Sequence, residues 1–242
     1  MKNKWLHFDI DKENIFGLTC GMIMVLLSLA MMLFDNEIGN IILRDMLMII
    51  ILGFFTPIYY ILIIKKKNLA VLGIHKNKLI VSLVINMITG VSLLAMFIGE
   101  NTEDIVFDIE SFYAMTYILA AGIFEMVFIY GFLRCEFERA FGILPAILFT
   151  AIFTVYIMRA FSRNLRSYFL LGSCMLQYSI LREISSQYFR FFWGVGAVWD
   201  VLVNSEAGDQ LKNKTTFIIA ILMFIAIIGI SIYIRCKIKN ER

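Results

Sequence analysis

AAGIFEMVFIYGFLRCEFERAFG, from Ala120 to Gly142, sets one acid, Glu125, inside an apolar run that includes Ile123, Phe124, Met126, Val127, Phe128 and Ile129. A carboxylate at that depth is expensive and is a candidate functional group by default. It has no evident cationic partner on its own helix. The run is long enough to cross a membrane, and the rest of the chain has the same character. Of 242 residues, 60% are hydrophobic and 17% are charged. Soluble domains have nearer half apolar and a quarter charged residues. The composition therefore predicts an all-α, polytopic membrane protein, a single membrane-embedded domain over 1–242.

A spanning helix needs about 20 mostly apolar residues. Eight spanning or partly spanning segments are expected, at roughly 15–34, 46–64, 79–98, 112–133, 143–158, 168–181, 188–204 and 215–234. The sixth and seventh are short and interrupted by Arg182, Glu183 and Arg190. The first is full-length and is followed by no small-residue cleavage pattern, so it reads as a spanning helix and not as a cleaved signal.

Lys and Arg set the orientation. With the N-terminus inside, the inner segments hold 16 of the 22 basic residues, among them Lys2, Lys4, Lys12, Lys65–Lys67, Arg134, Arg139 and the Arg235–Arg242 tail. The outer loops hold Arg44, Arg159, Arg163, Arg166, Lys212 and Lys214. Both termini are expected in the cytoplasm. Net charge is only +3, so nucleic acid is not implied. The four cysteines form no CxxC and no disulfide framework, and lipidation of Cys135 or Cys236 is weakly signalled. The glycosylation sequon at Asn213 is taken as chance.

Few polar groups fall within the expected spans: Glu125, Asp200 and Asn204, with Asn86 and Gln177 as interhelical hydrogen-bonding residues. Asp200 and Asn204 are four apart and so share a helix face. The two histidines, His7 and His75, lie outside the spans. An imidazole-bound zinc site or a Ser–His pair inside the membrane is therefore not expected, and neither is any other cofactor. No HExxH, GxSxG or glycine-rich phosphate loop is present.

Three stretches resemble the CPBP family, also called Abi or CAAX-protease-like, of intramembrane glutamic proteases. Its pattern is EExxxR followed by glycine, then FxxxH, then HxxxN or HxxxD. FEMVFIYGFL is similar to the first motif: Glu125 holds the first glutamate and Gly131 the glycine, whereas Met126 and Tyr130 stand where the second glutamate and the arginine would be. AFGILPAILFTAIFTVYI resembles the second, with Phe153 in place and Ile157 at the histidine position. WDVLVN resembles the third, with Asn204 kept and Asp200 replacing histidine. The resemblance covers roughly residues 112–204.

The substitutions go together. The second glutamate and the arginine are four apart and would face each other on a helix. Removing one alone would leave an uncompensated buried charge; here both are replaced. The resemblance implies a water-activating role for Glu125, with Asp200 and Asn204 as vestiges of the oxyanion-stabilising groups. An ionised Asp200 would repel a developing oxyanion. Tyr130 and Tyr156 are candidate replacement donors.

The leading expectation is a catalytically degenerate membrane protein that scaffolds or regulates another membrane protein, such as a cell-envelope enzyme or sensor. Its expected place is the bacterial plasma membrane. The alternative is an active intramembrane endopeptidase in peptide maturation or bacteriocin immunity. A transporter is disfavoured, because the spans hold few ionisable groups and show no inverted repeat.

Overall fold

The computed structural model describes residues 5–33, 37–72, 108–158 and 212–240, together with the single positions 80, 84, 88 and 91. Every regular element among them is helical. Helix α1 is Lys12–Leu33. Helix α2 runs over 37–64, and a short 3₁₀ turn, Leu69–Leu72, follows it. Helix α3 covers Ile109–Phe141, α4 covers Ile143–Met158 and α5 covers Lys214–Asn240. Four stretches are long and apolar enough to cross a membrane: Asn14–Met31, Ile41–Ile64, Ile109–Phe141 and Lys214–Ile234. A shorter apolar stretch, Ile143–Thr154, lies in α4.

These helices match the first, second, fourth, fifth and eighth expected segments, with informative differences at their ends. Helix α2 begins well before residue 46, so Arg44 lies within a helix and not in an outer loop. Asp45 is buried, and Arg44 meets it through Nε–Oδ1 at 2.7 Å and Nη2–Oδ2 at 3.2 Å. Adjacent opposite charges compensate each other locally, which lets the helix continue through them. Helix α3 extends past residue 133 to Phe141. Its final turns, Arg134–Phe141, carry Arg134, Glu136, Glu138 and Arg139.

Within the third expected segment, Ile80, Val84, Ile88 and Val91 are helical and exposed. Their spacing of four, four and three puts them on one face. The rest of that segment lies outside the described residues. So do the sixth and seventh expected segments, and with them Asn86, Gln177, Asp200 and Asn204.

Three helices start on the same device. The backbone N–H groups of Asn14, Ser111 and Thr216 donate to the side-chain oxygens of Asp11, Asp108 and Asn213, each at 2.7 Å. Each acceptor sits just before its helix and satisfies a donor that has no partner within the helix. Asn213, read from the sequence as a chance sequon, is thus the cap of α5. The same contact holds the Asp108 carboxyl below its ordinary value of 3.8, first through the Ser111 hydrogen bonds and with a smaller contribution from Lys212.

The chain divides into two compact units. One joins Met1–Ile74 to Phe124–Glu183, and the other joins His75–Ile123 to Ile184–Arg242. The first contains α1, α2, the second half of α3, and α4. Its centre is a ladder of rings: Phe124, Phe128 and Phe132 recur every four residues, with centroids 5.9 and 6.1 Å apart. Tyr60 of α2 stacks on Phe16 of α1 at 4.3 Å, and both present edges to Phe132. In the second unit, Phe217 of α5 packs on Phe112 and Tyr113 of α3 at 5.9 and 4.9 Å.

Candidate functional site

The stretch bearing the first motif, Glu125–Leu133, is π-helical, and so is much of α2, Ile41–Phe55 and Tyr60–Ile64. Hydrogen bonds in such a segment close five residues apart, an arrangement frequent at functional sites. The wider turn still keeps residues four apart near one face. The side chains of Glu125 and Met126 lie outside the described residues, as do Asp200 and Asn204. The arrangement of the acid–acid–amide set therefore lies outside the described residues.

Two of the substituted positions are described, and both lie in the core. Tyr130 is 2% exposed and Ile157 is fully buried. On α4 the buried positions Ala146, Ile147, Thr150, Thr154 and Ile157 form the inward stripe, while Leu144, Leu148, Phe149, Ile152 and Tyr156 are exposed. Tyr156, one of the two candidate donors, is 46% exposed and lies off that stripe. Ile157 occupies the inward face through packing. The buried Ser28 hydroxyl of α1 donates to the backbone carbonyl of Tyr156 at 2.8 Å and to that of Ile157 at 3.3 Å. Polar contact here goes to backbone, which ties α1 to the last turn of α4. Phe153, the retained aromatic of the second motif, sets its ring against Phe137 at 5.1 Å.

A second cluster of charges, at the end of the first unit, was not anticipated. Glu136 is fully buried. Its Oε1 accepts from Arg139 Nη1 at 3.0 Å and lies 3.6 Å from Lys65 Nζ. The Lys65 side chain is 4% exposed and that of Arg139 is 32% exposed. The ammonium also lies 4.9 Å from the centroid of Tyr60. Beside Glu136 the guanidinium-bearing Arg134 is fully buried, and Cys135 Sγ donates to the Val71 carbonyl at 2.9 Å. Gly17 of α1 packs directly on Glu136: a Cβ there would meet its Cγ, and would lie 2.7 Å from its Cβ. The cluster thus clamps the start of α1, the end of α2, the 3₁₀ turn and the end of α3.

The pairing of Glu136 with Arg139 was readable, because residues three apart are neighbours on a helix. The long-range partner Lys65 was not. Glu136 is buried because it shares the face of Leu133 and Ala140, both of which are in the core. No group of three or more metal-ligating side chains occurs among the described residues. Through Glu136 Oε1 the clamp sets one carboxylate against two cations, Arg139 at 3.0 Å and Lys65 at 3.6 Å, and so ties these segments together.

Comparison of the chain with protein-family models, with curated proteins and with solved structures gives no match. The class these features define is a helical protein with several helices suited to crossing a membrane. Its resemblance to the CPBP pattern rests on the motif residues alone.

Proposed function

We propose that this protein is a catalytically degenerate member of the CPBP/Abi family that scaffolds or regulates another membrane protein, in a bacterial plasma membrane and with both termini cytoplasmic. The observation that carries the reading is the packing at positions 130 and 157. Where the family pattern places arginine and histidine, a buried tyrosine and a fully buried isoleucine contribute to the core. An apolar replacement of comparable bulk removes the desolvation cost of a charge and can stabilise the protein while ending the chemistry.

The arrangement of the helix ends agrees with the proposed orientation. The segment before α1, the turn after α2 and the α3–α4 joint meet at one end of the first unit, through His7 N–H to Phe141 O at 3.0 Å and Lys65 to Glu136. These are the segments whose lysines and arginines assign them to the cytoplasm.

The test is whether function survives loss of the remaining acid. Glu125→Gln and Asp200→Asn should leave the cellular phenotype and any copurifying partner unchanged at equal protein abundance. Removing a general base from a working protease lowers rate by about 10²–10⁴-fold. Collapse of function in a stable, inserted Glu125→Gln variant would overturn the proposal.

A further inference from the structure

Residues 5–10, WLHFDI, form neither helix nor strand, yet they are fixed in place. The N–H groups of His7 and Asp9 donate to the carbonyls of Phe141 and Ala140 at 3.0 and 2.8 Å, and Leu144 N–H donates to the Trp5 carbonyl at 3.2 Å. The His7 Nε2 lies 2.9 Å from the Arg139 carbonyl, and Asn14 Nδ2 donates to the Asp9 carbonyl at 2.9 Å. Gly142 adopts φ +91°, and a Cβ there would come within 2.9 Å of the Trp5 carbonyl and the Leu6 nitrogen. The segment is therefore a strap laid closely over the joint between α3 and α4.

Its polar backbone is spent on the joint, and its apolar side chains remain largely exposed, although the Phe8 ring also rests against Phe141 with centroids 5.7 Å apart. Trp5 is 57% exposed, Leu6 61%, Phe8 77% and Ile10 41%. A cluster of that kind on a water-facing loop has no stabilising role. The depth of the strap supplies one. Trp5 is bonded to the first turn of α4, whose apolar stretch begins at Ile143, and Ile10 lies just before Asn14, where the apolar stretch of α1 begins. The strap thus sits at the level where the membrane-suited α1 and the shorter apolar α4 change from polar to apolar. Tryptophan and other amphipathic rings concentrate at that boundary. Exposed Lys12 follows it in the chain, and Lys66 and Lys67 are exposed in the turn after α2, suited to headgroup phosphates.

We propose that residues 5–10 are an interfacial anchor, a hydrogen-bonded strap that inserts Trp5, Leu6, Phe8 and Ile10 into the headgroup–acyl boundary of the bilayer. This rests on the reading of the apolar helices as membrane-crossing. Interfacial anchors of peripheral proteins are usually amphipathic helices embedded about 5–10 Å deep. Here an extended segment does the same work, because the joint of α3 and α4 supplies the backbone partners that a helix would supply to itself.

The test uses the full chain with Trp193→Phe and Trp199→Phe, which leaves Trp5 as the sole tryptophan. The protein is reconstituted into phosphatidylcholine–phosphatidylglycerol vesicles carrying lipids brominated either high or low on the acyl chain. The expected result is blue-shifted Trp5 emission, about twofold more quenched by the shallow bromines than by the deep ones, and protected from aqueous acrylamide. Red-shifted emission quenched by acrylamide would overturn the anchor in favour of a solvated loop. Emission quenched by neither reagent would overturn it in favour of coverage by protein, and stronger deep quenching would overturn the assigned depth. Carbonate extraction of the same vesicles separates the two readings. Protein that resists extraction while Trp5 meets no lipid defeats the anchor alone, and protein that is extracted defeats the membrane-crossing reading beneath it.

Discussion

Replacing Glu136 with glutamine keeps the shape of the side chain and removes its charge. The carboxylate is fully buried, and the Lys65 ammonium beside it is almost so, at 4% exposure. Breaking a buried pair by neutralising one member costs about 3–5 kcal/mol, because the remaining charge stays desolvated. Arg139 adds little to that cost: its side chain is 32% exposed and can turn to water, so the exposed-pair value of about 1 kcal/mol or less applies. Glu136→Gln should therefore destabilise by about 3–5 kcal/mol, and Arg139→Gln by about 1 kcal/mol or less. The decisive comparison is a double-mutant cycle with Lys65→Met, read by thermal unfolding in detergent micelles. Lys65→Met should destabilise the wild type, yet it should restore stability to the Glu136→Gln protein, with a coupling of about 2–3 kcal/mol. If Lys65→Met had the same effect in both backgrounds, Lys65 and Glu136 would be independent and the clamp would be wrong.

Gly142→Ala forces a side chain into a backbone region that only glycine enters readily, at φ +91°, and against the Trp5 carbonyl. It should lower stability by about 1–3 kcal/mol, seen as a reduced melting temperature, whereas an unchanged melting temperature would mean that the strap is not seated on the joint. The lowered carboxyl of Asp108 contributes stability that is present above its ordinary value of 3.8 and is lost as pH falls through the lower native value. The advantage of the wild type over Asp108→Ala in thermal unfolding should accordingly shrink as the pH is taken from about 6 to about 2, and a constant difference would show that the cap is not ionised. For topology, single cysteines at the exposed positions Asn68 and Glu110, in a variant lacking the native thiols, should differ in intact cells. An impermeant reagent should reach Glu110→Cys and not Asn68→Cys, and the reverse pattern would invert the orientation.

The helices were legible where apolar runs are long and unbroken, because length and hydropathy alone specify an element that can satisfy its backbone within a bilayer. Their ends were not. The sequence suggests a stop at Arg44–Asp45 and again at Arg134, but in the structure the charges are absorbed by pairing, within α2 at Asp45 and across elements at Glu136. Pairing between distant segments is invisible to a local reading, and so was the strap, whose register depends on free carbonyls at the end of α3. At the candidate site, the sequence marks Ile157 as the residue at the family's histidine position, and its burial comes from the packing of α4. The exposure of Tyr156 was not legible, because Tyr156 and Ile157 are three and four residues from Phe153 and spacing alone does not separate them.

Whether Glu125 still does chemistry separates a scaffold from a protease. The most direct measurement compares the membrane proteomes of cells carrying the wild type, Glu125→Gln or a deletion, with new protein termini quantified alongside abundance. A degenerate scaffold predicts that every terminus present with the wild type is present in equal amount with Glu125→Gln, even where the deletion changes the abundance of a partner. A cleavage product that is present with the wild type and lost in both the deletion and an equally abundant Glu125→Gln protein would contradict it.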